Sequence, residues 1–298
     1  AGHVRIYENT GGSWSQIGQD IDGEAANDYS GESVSLSSDG NIVAIGAYGN
    51  DGNGNGTRNA PGHVRVYENI SGSWSQVGQD IDGEAAYDYS GYSVSLSSDG
   101  SIVAIGASGI YTDSGYVRIY ENTGGSWSQI GQDIDGEADG DQSGGSVSLS
   151  SDGNTVAIGA FGNAGNGSFS GHVRIYENTG GSWSQVGQDI DGEAANDYSG
   201  HSVSLSSDGN IVAIGAYGND GNGSYAGHVR IYENTGGSWS QIDQDIDGEA
   251  ANDFSGRSVS LSSDGTIVAI GAPYNAGNGT DAGHVRIYEN TGGSWSQI

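Results

Sequence analysis

The chain has 298 residues, with 56 glycines, two prolines, no cysteine, no methionine and a formal net charge of −30 at pH 7. The missing cysteines exclude disulfides and thiolate metal sites, and no apolar run reaches the ~18 residues of a membrane helix. Such an acidic surface repels nucleic-acid phosphates and anionic lipids. We therefore expect neither nucleic-acid binding nor membrane insertion. Because the sequence lacks an initial methionine, we expect a processed product or an excerpt of a longer array.

One segment recurs six times and sets the period of the sequence. Copies of GHVRIYEN or a near variant begin at Gly2, Gly62, Gly115, Gly171, Gly227 and Gly283, at intervals of 60, 53, 56, 56 and 56 residues. Repeats that share a core form one structural body. We therefore predict a single repeat domain over residues 1–298, with a half-repeat at 1–18 and repeats at about 19–78, 79–131, 132–187, 188–243 and 244–298.

The first half of each period predicts two strands. Residues 3–8 (HVRIYE) alternate apolar and polar side chains, as a half-buried strand does. Residues 9–12 (NTGG) predict a turn, and residues 13–21 (SWSQIGQDI) alternate again. This part of the repeat therefore predicts a hairpin.

The second half of each period predicts another two strands. Residues 33–37 (SVSLS) alternate, while residues 42–47 (IVAIGA) are continuously apolar, as in a strand covered on both faces. Asp39-Gly40 lies between them and predicts a two-residue type I′ hairpin turn, which needs positive φ. No segment has a helical period.

Four short strands in each unit of about fifty residues are typical of a β-propeller blade. We predict an all-β fold, a β-propeller of four-stranded antiparallel blades, with five full repeats plus one extra two-stranded half-repeat. The small residues Ala44, Gly46 and Ala47 favour close approach of neighbouring sheets near a crowded axis. An open β-solenoid is the main alternative architecture.

The repeat resembles the FG-GAP family, the blades of integrin α-subunit propellers and of many secreted or surface proteins. The resemblance rests on Tyr29-Ser30-Gly31, on Gly271-Ala272-Pro273 and on the Gly-x-Val-x-Val/Ile-Tyr of all six copies. It implies the propeller fold and an extracellular or cell-surface location. The calcium-binding hairpin of that family is reduced here to Asp39 and Gly40, which implies that this calcium site is lost.

A second acidic stretch, QDIDGEAANDYSG at residues 19–31, returns four more times. Its acids stand at relative positions 1, 3, 5 and 9, the alternation by which calcium loops present oxygens; against calcium, glycine occupies position 4 rather than 6. The alternative, which we favour, is that the acids satisfy loop amides or pair with the arginine of the third strand. The candidate calcium ligands are Asp20, Asp22, Glu24, Asp28, Asp80, Asp82, Glu84, Asp88, Asp133, Asp135, Glu137, Asp141, Asp189, Asp191, Glu193, Asp197, Asp245, Asp247, Glu249 and Asp253.

Catalysis by these acids is not indicated by the sequence. Glycosidases use one carboxylate pair in distinct environments, whereas five near-identical copies give near-identical environments. The strand histidine is replaced by Tyr116 in one copy, and His201 stands at a variable position. We therefore predict that the protein is not an enzyme, that it has no catalytic residue and that it requires no cofactor.

Two further residue sets are candidates for surface chemistry. The tryptophan of each fourth strand could stack on sugars, although packing between blades is the favoured interpretation; these are Trp14, Trp74, Trp127, Trp183, Trp239 and Trp295. N-glycosylation sequons recur mainly in the Gly/Asn-rich loops between the second and third strands; the candidate acceptors are Asn55, Asn69, Asn166, Asn222 and Asn278.

Residues 1–17 are identical to residues 282–298, so both ends supply third and fourth strands. A surplus hairpin could complete a neighbouring copy head to tail, and such contacts build fibres when they do not close. We predict an extracellular structural or adhesive protein that associates with itself into filaments or a surface coat, with glycans or other surface proteins as possible partners. A multivalent carbohydrate-binding lectin and a calcium-dependent adhesion module are the alternatives.

Overall fold

The computed structural model describes residues 1–52, 60–109 and 113–298. These residues form β-strands and turns and no helix, which confirms the all-β prediction. Each repeat contributes one antiparallel sheet, and successive sheets pack face to face in a propeller-like arrangement. No helix in the described part of the chain has the length and apolar character needed to cross a membrane.

Five sheets follow one another along the described chain, and each has the strand order one-two-three-four. The first strands are Ser33–Leu36, Ser90–Leu96, Ser143–Leu149, Ser202–Leu205 and Ser258–Leu261, and the second strands are Ile42–Ala47, Ile102–Ala107, Thr155–Ala160, Ile211–Ala216 and Ile267–Ala272. The third strands are His63–Ile70, Tyr116–Thr123, His172–Asn178, His228–Thr235 and His284–Thr291. The fourth strands are Ser73–Gln76, Ser126–Gln129, Trp183–Gln185, Ser238–Gln241 and Ser294–Gln297.

The predicted fourth strand is not continuous. It bends after the SWSQ segment and resumes as a two-residue strand that pairs with the start of the third strand. The bend lies at a residue of positive φ, which is glycine in four copies, such as Gly18 at 69°, and Asp243 at 64° in the last. An alternating pattern does not reveal such a bend. The short strands are Ile21–Asp22, Ile81–Asp82, Ile134–Asp135, Ile190–Asp191 and Ile246–Asp247, and the N-terminal half-repeat adds His3–Val4, Tyr7–Thr10 and Ser13–Gln16.

The hairpin turn between the first and second strands differs from the prediction. At Asp39-Gly40 only the glycine has positive φ, whereas a type I′ turn needs two such residues. The Asp39 carboxylate holds this turn instead, because it accepts hydrogen bonds from the Ser37 hydroxyl at 2.7 Å and the Asn41 amide at 2.9 Å. Positive φ at two central residues occurs at Gly11-Gly12 in the other hairpin.

The hydrophobic core lies in the seams, the interfaces between consecutive sheets. In the first seam, Val64 and Val66 pack with Val94 and Leu96 of the next sheet. The serines between these apolar positions also bond across the seam: the Ser33 hydroxyl donates to the Gly91 carbonyl at 2.7 Å. A neutral hydrogen bond of this kind contributes about 1 kcal/mol, so polar and apolar contacts both join neighbouring repeats.

The outer faces at the two ends of the stack are exposed. Val285 of the last sheet is 66% exposed, whereas Val229 at the same repeat position in the preceding sheet is fully buried. At the other end Trp14 is 68% exposed and Val34 and Leu36 are about half exposed. Identical local sequence therefore gives different burial, because only interior sheets have a repeat on both sides.

Candidate functional site

The acids of one repeated loop point to different partners. The last of the four, Asp28 and its counterparts, is buried and closes the loop by accepting a backbone amide. In the fourth repeat, Asp197 accepts the Ala194 amide at 2.9 Å and the Asn219 side-chain amide at 3.2 Å. This geometry matches the loop-amide alternative; calcium binding by the four acids of one loop stays a prediction.

The first acid of each loop is held by a glutamine. Asp20 accepts a hydrogen bond from Gln16 at 2.7 Å and from the Arg5 guanidinium at 3.1 Å, and these contacts lower the pKa of the Asp20 carboxyl. Asp80, Asp189 and Asp245 accept the same glutamine bond at 2.6 Å. The second acid, Asp22 and its counterparts, ends the short strand.

A histidine and two acids from different repeats converge at three seams. We call each group a seam triad, made of the loop glutamate, the histidine that begins the next third strand and the aspartate in the bend of that fourth strand. Within each triad the ligand atoms lie within 4.8 Å of one another. The seam triads are Glu24, His63 and Asp80; Glu137, His172 and Asp189; and Glu193, His228 and Asp245.

The imidazoles of the seam triads are buried, while their acids reach solvent. His172 Nδ1 lies 3.9 Å from both Glu137 Oε2 and Asp189 Oδ2. Burial, with a contribution from the neighbouring Arg174, lowers the pKa of His172. The ring is therefore neutral at pH 7, with two carboxylates beside one nitrogen.

The seam that contains Tyr116 is built differently. Here Arg118 forms a bidentate pair with Asp133 at 2.9 and 3.0 Å and also contacts Glu84. The Tyr116 hydroxyl donates to Asp88 at 2.8 Å. The Arg118 guanidinium thus lies between the two acids in this seam, whereas in the seam triads the histidine imidazole faces them.

Sequence reasoning treated the strand histidine only as replaceable and did not connect it with acids of two successive loops. The pattern did carry a signal, since Tyr116 is the one substitution among the six copies and coincides with the bridged arginine. The contact itself is visible only in the structure, because the first two strands and a loop separate each glutamate from its histidine in the sequence.

The predicted tryptophans are structural in the interior of the stack. Trp74, Trp127, Trp183 and Trp239 are buried, and their indole N–H groups donate to a carbonyl of the preceding repeat at 2.9–3.0 Å. Such rings offer no open face to a sugar. Trp14 and Trp295, at the ends, retain exposed surface.

The sequons lie on exposed loops where the structure describes them. Asn166, Asn222 and Asn278 are exposed, and the Asn166 side-chain amide donates to the Gly192 carbonyl at 2.9 Å. Asn69 is partly buried, and its side-chain oxygen accepts the Gly72 amide in a hairpin turn. Asn55 falls outside the described residues.

A row of aromatic side chains, which the sequence analysis did not recognise, lies on one rim. We call it the aromatic row. Tyr198 and Tyr217 stack with centroids 5.0 Å apart, Phe254 lies 5.7 Å from Tyr217, and Tyr274 lies 5.0 Å from Phe254. The sequence signal was an aromatic residue before the Ser-Gly near the first strand in four of the five repeats and after the Gly-Ala that ends the second strand in three of them. It was interpreted only as a feature of the family.

Comparisons with known proteins bear on both fold and activity. Among solved structures, the chain is similar to a periplasmic gluconolactonase of Pseudomonas aeruginosa, at 16% identity and a TM-score of 0.65, over 99% of this chain and 77% of that one. It is also similar to a candidate 6-phosphogluconolactonase of Bacteroides uniformis, at 12% identity and a TM-score of 0.63, over 96% and 74%. A third match is a candidate TolB of Agrobacterium tumefaciens, at 15% and 0.51, over 89% and 79%.

These likenesses correct the expectation that the protein is not an enzyme, because the same fold forms a gluconolactonase. At such low identities they show the fold alone, so they bring no substrate or catalytic residue to this chain.

The family comparison addresses the repeats themselves. A comparison with curated protein sequences found no match. The FG-GAP repeat model matches residues 21–64, 190–232 and 246–288, which form most of the first, fourth and fifth sheets. The family indicated by the sequence is confirmed at these three positions, each of which matches an FG-GAP repeat.

Proposed function

We propose that the protein is a structural or adhesive protein of the cell exterior whose repeats stack, head to tail, on the repeats of further copies. The observation that carries this proposal is the pair of exposed end faces. Each face consists of residues that interior repeats bury against a neighbour. The occupant that fits is therefore another repeat of this sequence, supplied in solution by a second copy of the chain.

The C-terminal face exposes apolar side chains that interior sheets bury. Val285 and Ile287 are 66% and 42% exposed, while Val173 and Ile175, in the same HVRIYEN sequence, are at most 1% exposed. In the interior, Val173 and Ile175 pack with Leu205, Val212 and Ile214 of the following sheet. Burying such a pair of side chains contributes about 1.5–3 kcal/mol each, so covering this face is favourable.

The N-terminal face exposes the apolar residues that would contact a preceding sheet. Val34 and Leu36 of the first sheet are about half exposed, because the half-repeat before them has no first or second strand. Trp14 is exposed, whereas interior tryptophans donate to the preceding repeat. Residues 282–298 have the same sequence as residues 1–17, so a last sheet can present the same contacts to a first sheet that the half-repeat presents.

Location outside the cytoplasm is supported by two observations. Three segments of the chain match the FG-GAP repeat, which occurs in many secreted or surface proteins. A similar fold occurs in a periplasmic protein of Pseudomonas aeruginosa. The absence of cysteine makes the chain indifferent to an oxidising compartment. Within the space outside the cytoplasm, we propose an extracellular or cell-surface location.

Sedimentation velocity over a wide concentration range tests the association. We expect the mass to rise with concentration, more so at raised salt, because salt screens the repulsion between chains of charge −30. Val285→Asp places a charge in the C-terminal face and should prevent association. Thr291→Asp adds the same charge on the exposed outer hairpin of that sheet and should not. A strictly monomeric chain at every concentration and salt would contradict the proposal.

The aromatic row favours a second candidate function, binding of carbohydrate. A cavity of about 360 Å³ on this rim is lined by Tyr217, Asn252, Phe254, Arg257, Tyr274 and Asp281. Aromatic faces beside charged and amide groups suit a sugar ring, which needs stacking together with hydrogen bonds. A glycan array with the parent chain and Tyr274→Ala tests it, with Tyr67→Ala as the control outside the row. Binding that survives Tyr274→Ala contradicts this assignment.

A further inference from the structure

The seam triads combine features of a ligand site that the stacking proposal does not use. Each places one imidazole nitrogen beside two carboxylates from different repeats. His228 is 1% exposed, and neither of its ring nitrogens has a hydrogen-bond partner among the described residues. A buried donor or acceptor left unpaired costs about 1–3 kcal/mol, so an unpartnered buried imidazole beside two carboxylates needs a physical reason.

We propose that the seam triads bind divalent transition-metal cations, with histidine Nδ1, the loop glutamate and the bend aspartate as ligands. The metal class follows from the donors. An imidazole nitrogen with two carboxylate oxygens suits Zn²⁺ and its neighbours, whereas Ca²⁺ and Mg²⁺ prefer oxygen ligands throughout. The site therefore differs in its ligands from a calcium loop formed by the acids of a single repeat.

The distances fit one ion between the three groups. Ligands of a tetrahedral zinc ion at ~2.0–2.1 Å lie about 3.4 Å apart from one another. His228 Nδ1 is 3.4 Å from Asp245 Oδ2 and 3.9 Å from Glu193 Oε2. Small side-chain rotations of the exposed glutamate and the half-buried aspartate would bring all three atoms to the ion, and the solvent-facing side leaves room for water.

The seam that contains Tyr116 supplies an internal control. Where Tyr116 replaces histidine, the Arg118 guanidinium contacts both Glu84 and Asp133. In the seam triads the equivalent arginines do not bridge both acids. Arg174 and Arg230 donate to the carbonyls of Asp135 and Asp191 at 2.7 Å and reach only the loop glutamate, at 3.9 and 3.8 Å. The chain's own arginine thus bridges both acids in one seam, whereas in the three seam triads it reaches only the glutamate and leaves the aspartate and the imidazole to the bound metal.

The arginine also has a part in the seam triads. Arg230 Nη1 lies 3.8 Å from Glu193 Oε1, while Oε2 of the same carboxylate faces the imidazole. A charged group beside the far oxygen of a ligating carboxylate helps to orient that carboxylate. The triads are therefore supported by a second layer of polar contacts.

Zinc titration by isothermal calorimetry tests the proposal, in physiological salt with millimolar Mg²⁺ present to occupy non-specific acidic sites. We expect three Zn²⁺ ions per chain, one for each triad. Asp189→Asn keeps the side-chain shape and should lower the stoichiometry to two. Asp133→Asn, the matched change in the arginine-filled seam, should leave three.

A spectroscopic readout separates ligation from loose attraction to a −30 surface. Paramagnetic Co²⁺ should broaden the imidazole proton resonances of His63, His172 and His228 and spare His201, which packs against Tyr217 of the aromatic row and belongs to no triad. The proposal is overturned if Mg²⁺ abolishes zinc binding, if Asp133→Asn loses as much as Asp189→Asn, or if Co²⁺ leaves the three resonances unchanged.

Discussion

Two isoleucines with the same local sequence provide a sharp test of where the stability of this protein resides. Ile175 and Ile287 both stand in HVRIYEN, on the third strand of their sheets. Ile175 is 1% exposed and packs in a seam with Leu205 and Ile214, whereas Ile287 is 42% exposed on the end face. We expect truncation to alanine to have very different effects at the two positions.

The magnitudes follow from burial. An Ile→Ala change in a packed core costs about 2–5 kcal/mol, because transferred surface is lost and a cavity remains. Ile287 buries only about half of its surface and borders solvent, so Ile287→Ala should cost about 1 kcal/mol. The difference of roughly 2 kcal/mol or more depends on the neighbouring repeat alone, since the strand sequence is the same.

Urea unfolding followed by tryptophan fluorescence measures both variants, because four indoles lie in the seams. Stacked repeats can unfold in parts, so hydrogen exchange of the third-strand amides should accompany the melts. Loss of protection is expected around residues 172–178 in Ile175→Ala. Equal destabilisation by the two variants would refute the reasoning, because it would place the stabilisation within the strand rather than in the seam.

The remaining predictions concern close approach, acid stability and the seam hydrogen bond. Gly159→Ala should destabilise the fold strongly, since an added Cβ would lie 1.9 Å from the Gly200 carbonyl oxygen of the next sheet; Gly271→Ala, with no neighbouring sheet, should be milder in thermal melts, and equal effects would contradict this. His201 has its pKa lowered to about 4 by burial and by nearby Arg257, so its contribution is present above about pH 6.5 and is lost as pH falls towards 4, by up to roughly 3 kcal/mol. His201→Tyr, the residue type of Tyr92 at this position, should remove that part of the pH dependence of urea midpoints; an unchanged profile would count against it. Trp183→Phe should cost about 1–3 kcal/mol in urea unfolding by leaving the Ile130 carbonyl without its donor, whereas Trp14→Phe, at the exposed end, should cost little, and a reversed order would be inconsistent with the seam geometry.

The strands of the repeat could be read from the sequence because their signals are local. The alternation in HVRIYE and SVSLS and the continuous apolar IVAIGA all became strands, and the family followed from the Gly-x-Val-x-Ile-Tyr pattern. The turn at Asp39-Gly40 and the bend near Gly18 were not predictable in detail. Both depend on which residue takes positive φ, and several glycine-rich solutions satisfy the same pattern.

Only the tertiary structure could separate the roles of chemically identical residues. The sequence by itself determined the repeat, its strands and the row of acids in each loop, since these follow from side-chain periodicity and composition. It could not pair Glu137 with His172, or distinguish a buried Val229 from an exposed Val285. Those distinctions depend on which repeat lies across the seam, and contacts between separate sheets leave no mark in the local pattern of either one.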